Sequence, residues 1–399
     1  MFCVHTAKTE QKAGKILFFL FKKEDMNLML VKIEKKILEN AVAVAAKAAA
    51  GLSVQPILKS LLLKTDQGQM YITGTDLILG IEKCVDAEVQ EPGAAVAEAK
   101  LLLDIIRKLP DGTVTLKCDG QKLVISGGRA KLSLLCMKTE QFPAWPVDSA
   151  GYDTRLSIPQ KKLKQAIAGT AFAAAEDASN MVMNSMHFEA DADRITLTAL
   201  DGYRIARKYI FPENGQSFPV SGISAIIQTK TLKEIMKSLD DGDVDISFTD
   251  KHVIFELKDK REVYVSVLVD GNYFNVDSLI STRGERILTV NKQELIDVID
   301  RTTLFFNSID KNPAILELSR PEILKTRMES RMGDMEEELE VTDSKYEELA
   351  IGVNPLLFLP ILKSIDDEEL EIEVSGSRTP LIMRGPEYLY LLLPVSIGR

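Results

Sequence analysis

The sequence predicts an α+β fold made of three copies of one domain, each with two helices laid on antiparallel strands. A strand-then-helix pattern recurs as VKIEKKILENAVAVAAKAAA (Val31–Ala50), LSIPQKKLKQAIAGTAFAAA (Leu156–Ala175) and LTVNKQELIDVIDRTTLFF (Leu288–Phe306). A second helix, Lys100–Leu109, Lys230–Leu239 and Pro355–Ile365, ends each time in an acidic turn. A closing apolar strand follows in each copy, at Lys131–Cys136, Glu262–Leu268 and Tyr388–Pro394.

The elements follow from their periods. In the first helix of each copy, apolar residues recur at i, i+3, i+4 and i+7, one face of a helix. After the second helix come alternating strand pairs: Thr113–Lys117 with Lys122–Ser126, Val244–Phe248 with His252–Leu257, and Leu370–Val374 with Pro380–Met383. Between the helices, Leu61–Glu82 and Met186–Arg207 read as strands around Asp-Gly-type turns, with Ala314–Leu318 and Lys325–Met328 as their third-copy counterparts. The acidic run Met332–Glu340 reads as a solvated hairpin loop. The expected domains are 29–149, 150–283 and 284–399. Starts 125 and 132 residues apart make this a domain repeat rather than a solenoid.

Composition agrees with a soluble globular chain of several cores: 399 residues, 45% apolar and 27% charged. Four scattered cysteines without CxxC and three scattered histidines argue against a metal site and for reduced thiols in a cytoplasmic protein. The apolar run Ile16–Phe21 is too short to span a bilayer and lacks a following cleavage signature. Residues 1–28 read as an upstream extension, disordered or belonging to a misassigned start.

Motifs for catalysis are missing. GxxxxGK[ST], GxGxxG, GxSxG and HExxH do not occur. Asp201-Gly202 reads as a tight turn, and the acid pairs at 240–241 and 366–367 as solvated helix ends. No catalytic residue, cofactor or metal is expected.

Charge is unevenly placed. The six helical segments carry net +8, leaving −18 elsewhere in a chain of net −10. Such a split suits helices that face a polyanion, with Arg107, Lys108, Lys161, Lys164, Lys230, Lys233 and Lys237 touching phosphates without reading bases. An ordinary charged helix face is the alternative.

QPILKSLLLK (Gln55–Lys64), ITGTDL (Ile72–Leu77), SGGRAKLSLLCMKTEQFP (Ser126–Pro143), LTALDGYRIA (Leu197–Ala206), VLVDGNYF (Val267–Phe274), GVNPLLFLPIL (Gly352–Leu362) and LYLLLPVSI (Leu389–Ile397) stand in order. Together they resemble the bacterial sliding clamp family, the beta subunit of DNA polymerase III. The resemblance covers about residues 29–397. It implies a head-to-tail homodimeric ring that encircles double-stranded DNA, sequence-independently, as a processivity factor in the nucleoid. Lys100 and Arg301 join the DNA-facing set on this reading. It also implies a pocket that takes short peptides from the replicative polymerase, the clamp loader and repair proteins. Carried over, its apolar wall comprises Met183, Leu200, Ile205, Leu279, Leu357, Leu391, Leu393 and Pro394. Its rim comprises Gly202, Tyr203, Arg204, Asn354 and Pro380, with Phe274 at the edge. Dimer contacts would pair Leu132 and Leu134 with Leu304 and Phe305. Leu52, Phe274, Ser278 and the Ser396–Arg399 extension depart from the usual pattern. The competing readings are a protein-binding repeat scaffold without DNA, and a soluble enzyme centred on Asp201–Arg204.

Overall fold

The structure, a computed structural model, describes residues 28–397 except 50, 52, 145–153, 177–178, 214, 221, 282, 307–311, 344 and 346–347. The upstream extension up to residue 27, Leu52 and the last two residues of the C-terminal extension therefore lie outside the described residues.

The first copy runs β1 (Met29–Glu34), α1 (Lys35–Ala46), β2 (Ser60–Asp66), β3 (Gln69–Thr75), β4 (Leu79–Asp86), β5 (Glu88–Glu91), β6 (Ala94–Glu98), α2 (Ala99–Lys108), β7 (Thr113–Cys118), β8 (Lys122–Gly127) and β9 (Ala130–Leu135). The second runs β10 (Thr154–Pro159), α3 (Gln160–Ala168), β11 (Ser185–Ala190), β12 (Ile195–Leu200), β13 (Arg204–Ile210), β14 (Ile223–Gln228), α4 (Thr229–Met236), β15 (Asp243–Phe248), β16 (His252–Leu257), β17 (Glu262–Val267) and the short α5 (Asp277–Ile280). The third runs β18 (Arg286–Asn291), α6 (Lys292–Thr302), β19 (Ala314–Arg320), β20 (Ile323–Ser330), β21 (Gly333–Asp343), β22 (Leu349–Val353), α7 (Pro355–Lys363), β23 (Glu369–Val374), β24 (Leu381–Gly385) and β25 (Tyr388–Leu392).

The repeat extends to single hydrogen bonds. The first N–H of each copy's first helix donates into the turn after its second helix: Lys35 to Gly112, Gln160 to Gly242 and Lys292 to Glu368. A lysine ammonium from the first helix also reaches a carbonyl at the end of the second: Lys35 to Leu109 at 2.6 Å, Lys164 to Leu239 at 2.9 Å and Lys292 to Ile365 at 2.8 Å. Cations there meet the negative end of the helix dipole. The apolar faces behave as their spacing predicts, with Leu38, Ala41, Val42 and Ala45 of α1 all buried.

Two compact units result. One holds the described residues before 154 together with Arg261–Val265; the other holds Thr154–Lys260 and Ser266–Arg399. In the first unit one sheet has the order β5-β1-β7-β8-β9, and in the other β6, β2, β3 and β4 are followed by β17. The second unit contains a twelve-stranded sheet, β14-β11-β12-β13-β25-β24-β23-β18-β21-β20-β19-β22. Copies two and three share one body because β13 pairs directly with β25, Arg204 opposite Leu392 and Lys208 opposite Tyr388.

One expectation is corrected. Most of the acidic run Met332–Glu340 is strand, not loop: β21 pairs with β20 from Gly333 opposite Ser330 to Glu340 opposite Ile323. Glutamate is a poor strand former. Here cations from three elements offset the charge: Lys325 of the paired strand β20 meets Glu336 at 2.7 Å, Arg320 at the end of β19 meets Glu338, and Arg301 of α6 meets Glu337 at 2.5 Å. Every second residue turns inward, ending with buried Leu339 and Val341.

Candidate functional site

The hairpin between β12 and β13 turns at Asp201-Gly202-Tyr203-Arg204. Asp201 Oδ1 accepts the N–H groups of Tyr203 and Arg204 at 3.0 and 3.1 Å, an Asx turn that leaves Gly202 at φ +86°, the left-handed region glycine tolerates. Arg204 is then fully engaged. Its Nε donates to Asp201 Oδ2 at 3.0 Å, and its two terminal nitrogens donate to the carbonyls of Leu357 at 3.0 Å and Phe172 at 2.6 Å. Its guanidinium also lies 5.2 Å from the centre of the Phe172 ring. One side chain thus ties the second copy to α7 of the third.

Beside this turn lies an apolar cluster of Leu200, Ile205, Val276, Ile280, Ile382, Leu389 and Leu391, with Met183, Tyr209 and Tyr273 packed against it. Around it sit large apolar side chains left in solvent: Tyr203 at 64% exposure, Leu279 at 59% and Leu393 at 40%, with Phe274 and Leu356 also exposed. Exposed apolar groups around a buried apolar floor make a surface suited to a linear peptide. Leu391 and Leu393, two residues apart, point to the same face: Leu391 is buried in the cluster, and Leu393, just past the strand end, is open.

The chain after β25 is held by Leu393 N–H to the Tyr203 carbonyl at 2.8 Å and Val395 N–H to the Gly352 carbonyl at 2.7 Å. Asn354 caps α7 through Leu356 N–H at 3.0 Å. Among the expected wall residues, Met183, Leu200, Ile205 and Leu391 come together in the cluster. Leu357 contributes its carbonyl to Arg204, and Pro380 and Pro394 are half-buried outside the cluster. Of the departures, Phe274 packs edge-on against Tyr273 at 5.8 Å, and Ser278 Oγ donates to the Asn275 carbonyl at 3.4 Å. Sequence reasoning missed Val276, Ile280, Ile382 and Leu389 of the floor, although the i, i+4 spacing of the first two is a helical apolar signal.

Family models match nearly the whole described chain: the N-terminal domain of the DNA polymerase III beta subunit at residues 29–146, its central domain at 157–275 and its C-terminal domain at 277–393. The chain belongs to the DNA polymerase III beta subunit family. A beta sliding clamp of Bacillus subtilis is 28% identical over 385 residues, covering 92% of this chain and 99% of its own, and one of Streptomyces coelicolor is 26% identical, covering 93% and 100%. Among solved structures, a putative beta subunit from Eubacterium rectale superposes with a TM-score of 0.86 at 30% identity, covering 92% of this chain and 99% of its own. The Bacillus subtilis clamp structure gives 0.87 at 25%, covering 93% and 100%. A Pseudomonas aeruginosa clamp bound to griselimycin gives 0.84 at 25%, covering 92% and 100%. The chain is thus a sliding clamp, a replication processivity factor and not an enzyme.

The clamp's nine expected DNA-facing residues, Lys100, Arg107, Lys108, Lys161, Lys164, Lys230, Lys233, Lys237 and Arg301, are all exposed on helices or just past their ends. Several already have partners. Lys161 lies 2.6 Å from Asp241, whose carboxylate holds that ammonium above the ordinary lysine range. Lys237 lies 2.7 Å from Glu234, Arg107 lies 3.5 Å from Glu39, and Arg301 is held by Glu337. Lys164 is committed to the Leu239 carbonyl.

Of the clamp's expected dimer contacts, Leu132 is exposed and Leu304 is 71% exposed. Phe305 is half-buried against the start of β21, its ring 3.3 Å from where a Cβ on Gly333 would stand. Leu134 is 7% exposed and packed in the first unit's core, whereas its neighbour Leu135 is 78% exposed. Strand alternation puts them on opposite faces.

Proposed function

We propose that two copies of this chain close head to tail into a ring around duplex DNA. The observation that supports this is a joint used twice within the chain. β17, the closing strand of copy two, lies beside β4 of copy one; β25, the closing strand of copy three, pairs with β13 of copy two. The third equivalent pair is left open. β9, the closing strand of copy one, is the last strand of its sheet, and β21 over Gly333–Glu340 pairs with β20 alone. Unpaired edges are strand-pairing sites, so β9 of one chain meets β21 of the other, twice. Lys131 on β9 faces an acidic β21, and the exposed Leu135, on the same face as Lys131, meets Leu304 and Phe305.

Within the ring the helices face DNA, and Lys100, Arg107, Lys108, Lys161, Lys164, Lys230, Lys233, Lys237 and Arg301 make diffuse phosphate contacts. The pocket beside Arg204 and Leu393 receives short peptides from the replicative polymerase, the clamp loader and repair proteins. Sedimentation tests the assembly: a particle near twice the 44.3 kDa of one chain, with a central hole in negative-stain images, is expected. A monomer, or a dimer without a hole, rejects the ring.

A further inference from the structure

At the end of β7 the chain turns through Asp119–Gln121 into β8, and after β9 it returns to the same turn, where Cys136 N–H donates to the Gln121 carbonyl at 2.8 Å. That return brings the Cys136 sulfur to 3.7 Å from the sulfur of Cys118, the last residue of β7. Cys118 is buried and Cys136 is half-buried against it. A disulfide needs about 2.05 Å between sulfurs, so the two sulfurs must approach further for the bond to form.

We propose that Cys118 and Cys136 form a peroxide-responsive site that closes to an intrachain disulfide and fixes the end of strand β9. Gly120 N–H donates to the Cys118 sulfur at 3.3 Å, so the turn stabilises charge on that atom. The Cys136 thiol and that N–H together bring the Cys118 thiol down to about 7, while the same contact and burial push Cys136 up. Cys118, whose sulfur accepts the Gly120 N–H, is the thiolate and Cys136 the resolving thiol.

The chemistry balances with hydrogen peroxide as oxidant, a molecule small enough for a half-buried site. Cys118 thiolate attacks one peroxide oxygen; the O–O bond breaks, and the departing hydroxide takes a proton to leave as water. The sulfenic acid on Cys118 is then attacked by the Cys136 sulfur. The S–S bond forms, the S–O bond breaks, and a second water leaves with the proton from Cys136. Two thiols have lost two electrons to one peroxide.

The bond would join the end of β7 to the end of β9, across β8. Its consequence for assembly rests on the ring closure proposed above. Pinning the edge strand in its paired conformation slows ring opening.

The test uses the full chain, reduced and then titrated with hydrogen peroxide. Free thiols should fall from the four in the sequence to two. Peptide mapping should find residues 118 and 136 cross-linked, and a dithiol should reverse the change. In Cys136→Ser the cross-link is lost and Cys118 proceeds to sulfinic acid. Four thiols retained in the wild type, or a cross-link through Cys84 instead, overturns the site. Subunit exchange between differently labelled dimers should be severalfold slower after oxidation; equal rates overturn the effect on opening. A reduced wild-type chain that sediments as a monomer rejects the ring, while the thiol count still decides the disulfide.

Discussion

The backbone N–H of Leu393 donates to the carbonyl of Tyr203 at 2.8 Å, so the stretch that follows β25 is stitched to a turn nearly two hundred residues earlier. That bond sets Leu393 beside the exposed Tyr203 ring and one step beyond the ladder in which Leu391 faces Ile205. Leu393→Asp keeps the backbone bond and changes only the side chain offered to a ligand. A polymerase-derived peptide should then bind about thirtyfold more weakly, about 2 kcal/mol, by fluorescence polarisation. Unchanged binding would move the peptide site elsewhere.

Arg204 holds the pocket's frame rather than its floor. Arg204→Ala strands the Asp201 carboxylate and two carbonyls, of Leu357 and Phe172, and should cost roughly 2–4 kcal/mol in denaturant unfolding of the second unit. Arg204→Lys should recover little, because one ammonium cannot reach three acceptors in the fork geometry of a guanidinium. Full recovery by lysine would show that charge alone matters.

Leu304 and Phe305 flank the start of β21. Changing both to Asp places two charges where the proposed ring closure would bury apolar surface, and sedimentation should give monomers. Leu135→Asp on β9 should act in the same direction, whereas Leu134→Asp should unfold the first unit, since that side chain lies in its core. A dimeric Leu304→Asp, Phe305→Asp double variant refutes this interface.

Changing Arg107, Lys161 and Lys237 together to Glu should weaken DNA association and slow loading by the same factor on unrelated sequences, since phosphates carry no sequence. Mobility shifts on three duplexes of different composition would decide it. Strong sequence dependence would mean that bases are read.

Much of this was legible in the sequence because it is local or repeated. Helical periods placed α1 through α7 apart from the short α5, and the apolar end Leu389–Pro394 announced a closing strand. The turn at Asp201-Gly202 declared itself through residue chemistry. What escaped depends on partners distant in sequence. β21 is a strand because Lys325, Arg320 and Arg301 meet its glutamates, and no window over residues 332–340 contains them. Leu134 and Leu135 are interchangeable in composition, and only the register of β9 on β8 assigns one to the core. The helix cations were visible, but the carboxylates beside them were not.

Those carboxylates change what binding a polyanion means for this molecule. Lys161, Lys237, Arg107 and Arg301 each rest against an acid of the same chain, so a phosphate arriving at any of them displaces a partner as well as solvent. The acid set free can take up a cation from solution, offsetting part of the cation release from the polyanion. The slope of log K against log salt should therefore be shallower than a count of exposed basic side chains implies. In the proposed ring, passage from one phosphate to the next would be an exchange between near-equivalent partners, a low-friction track.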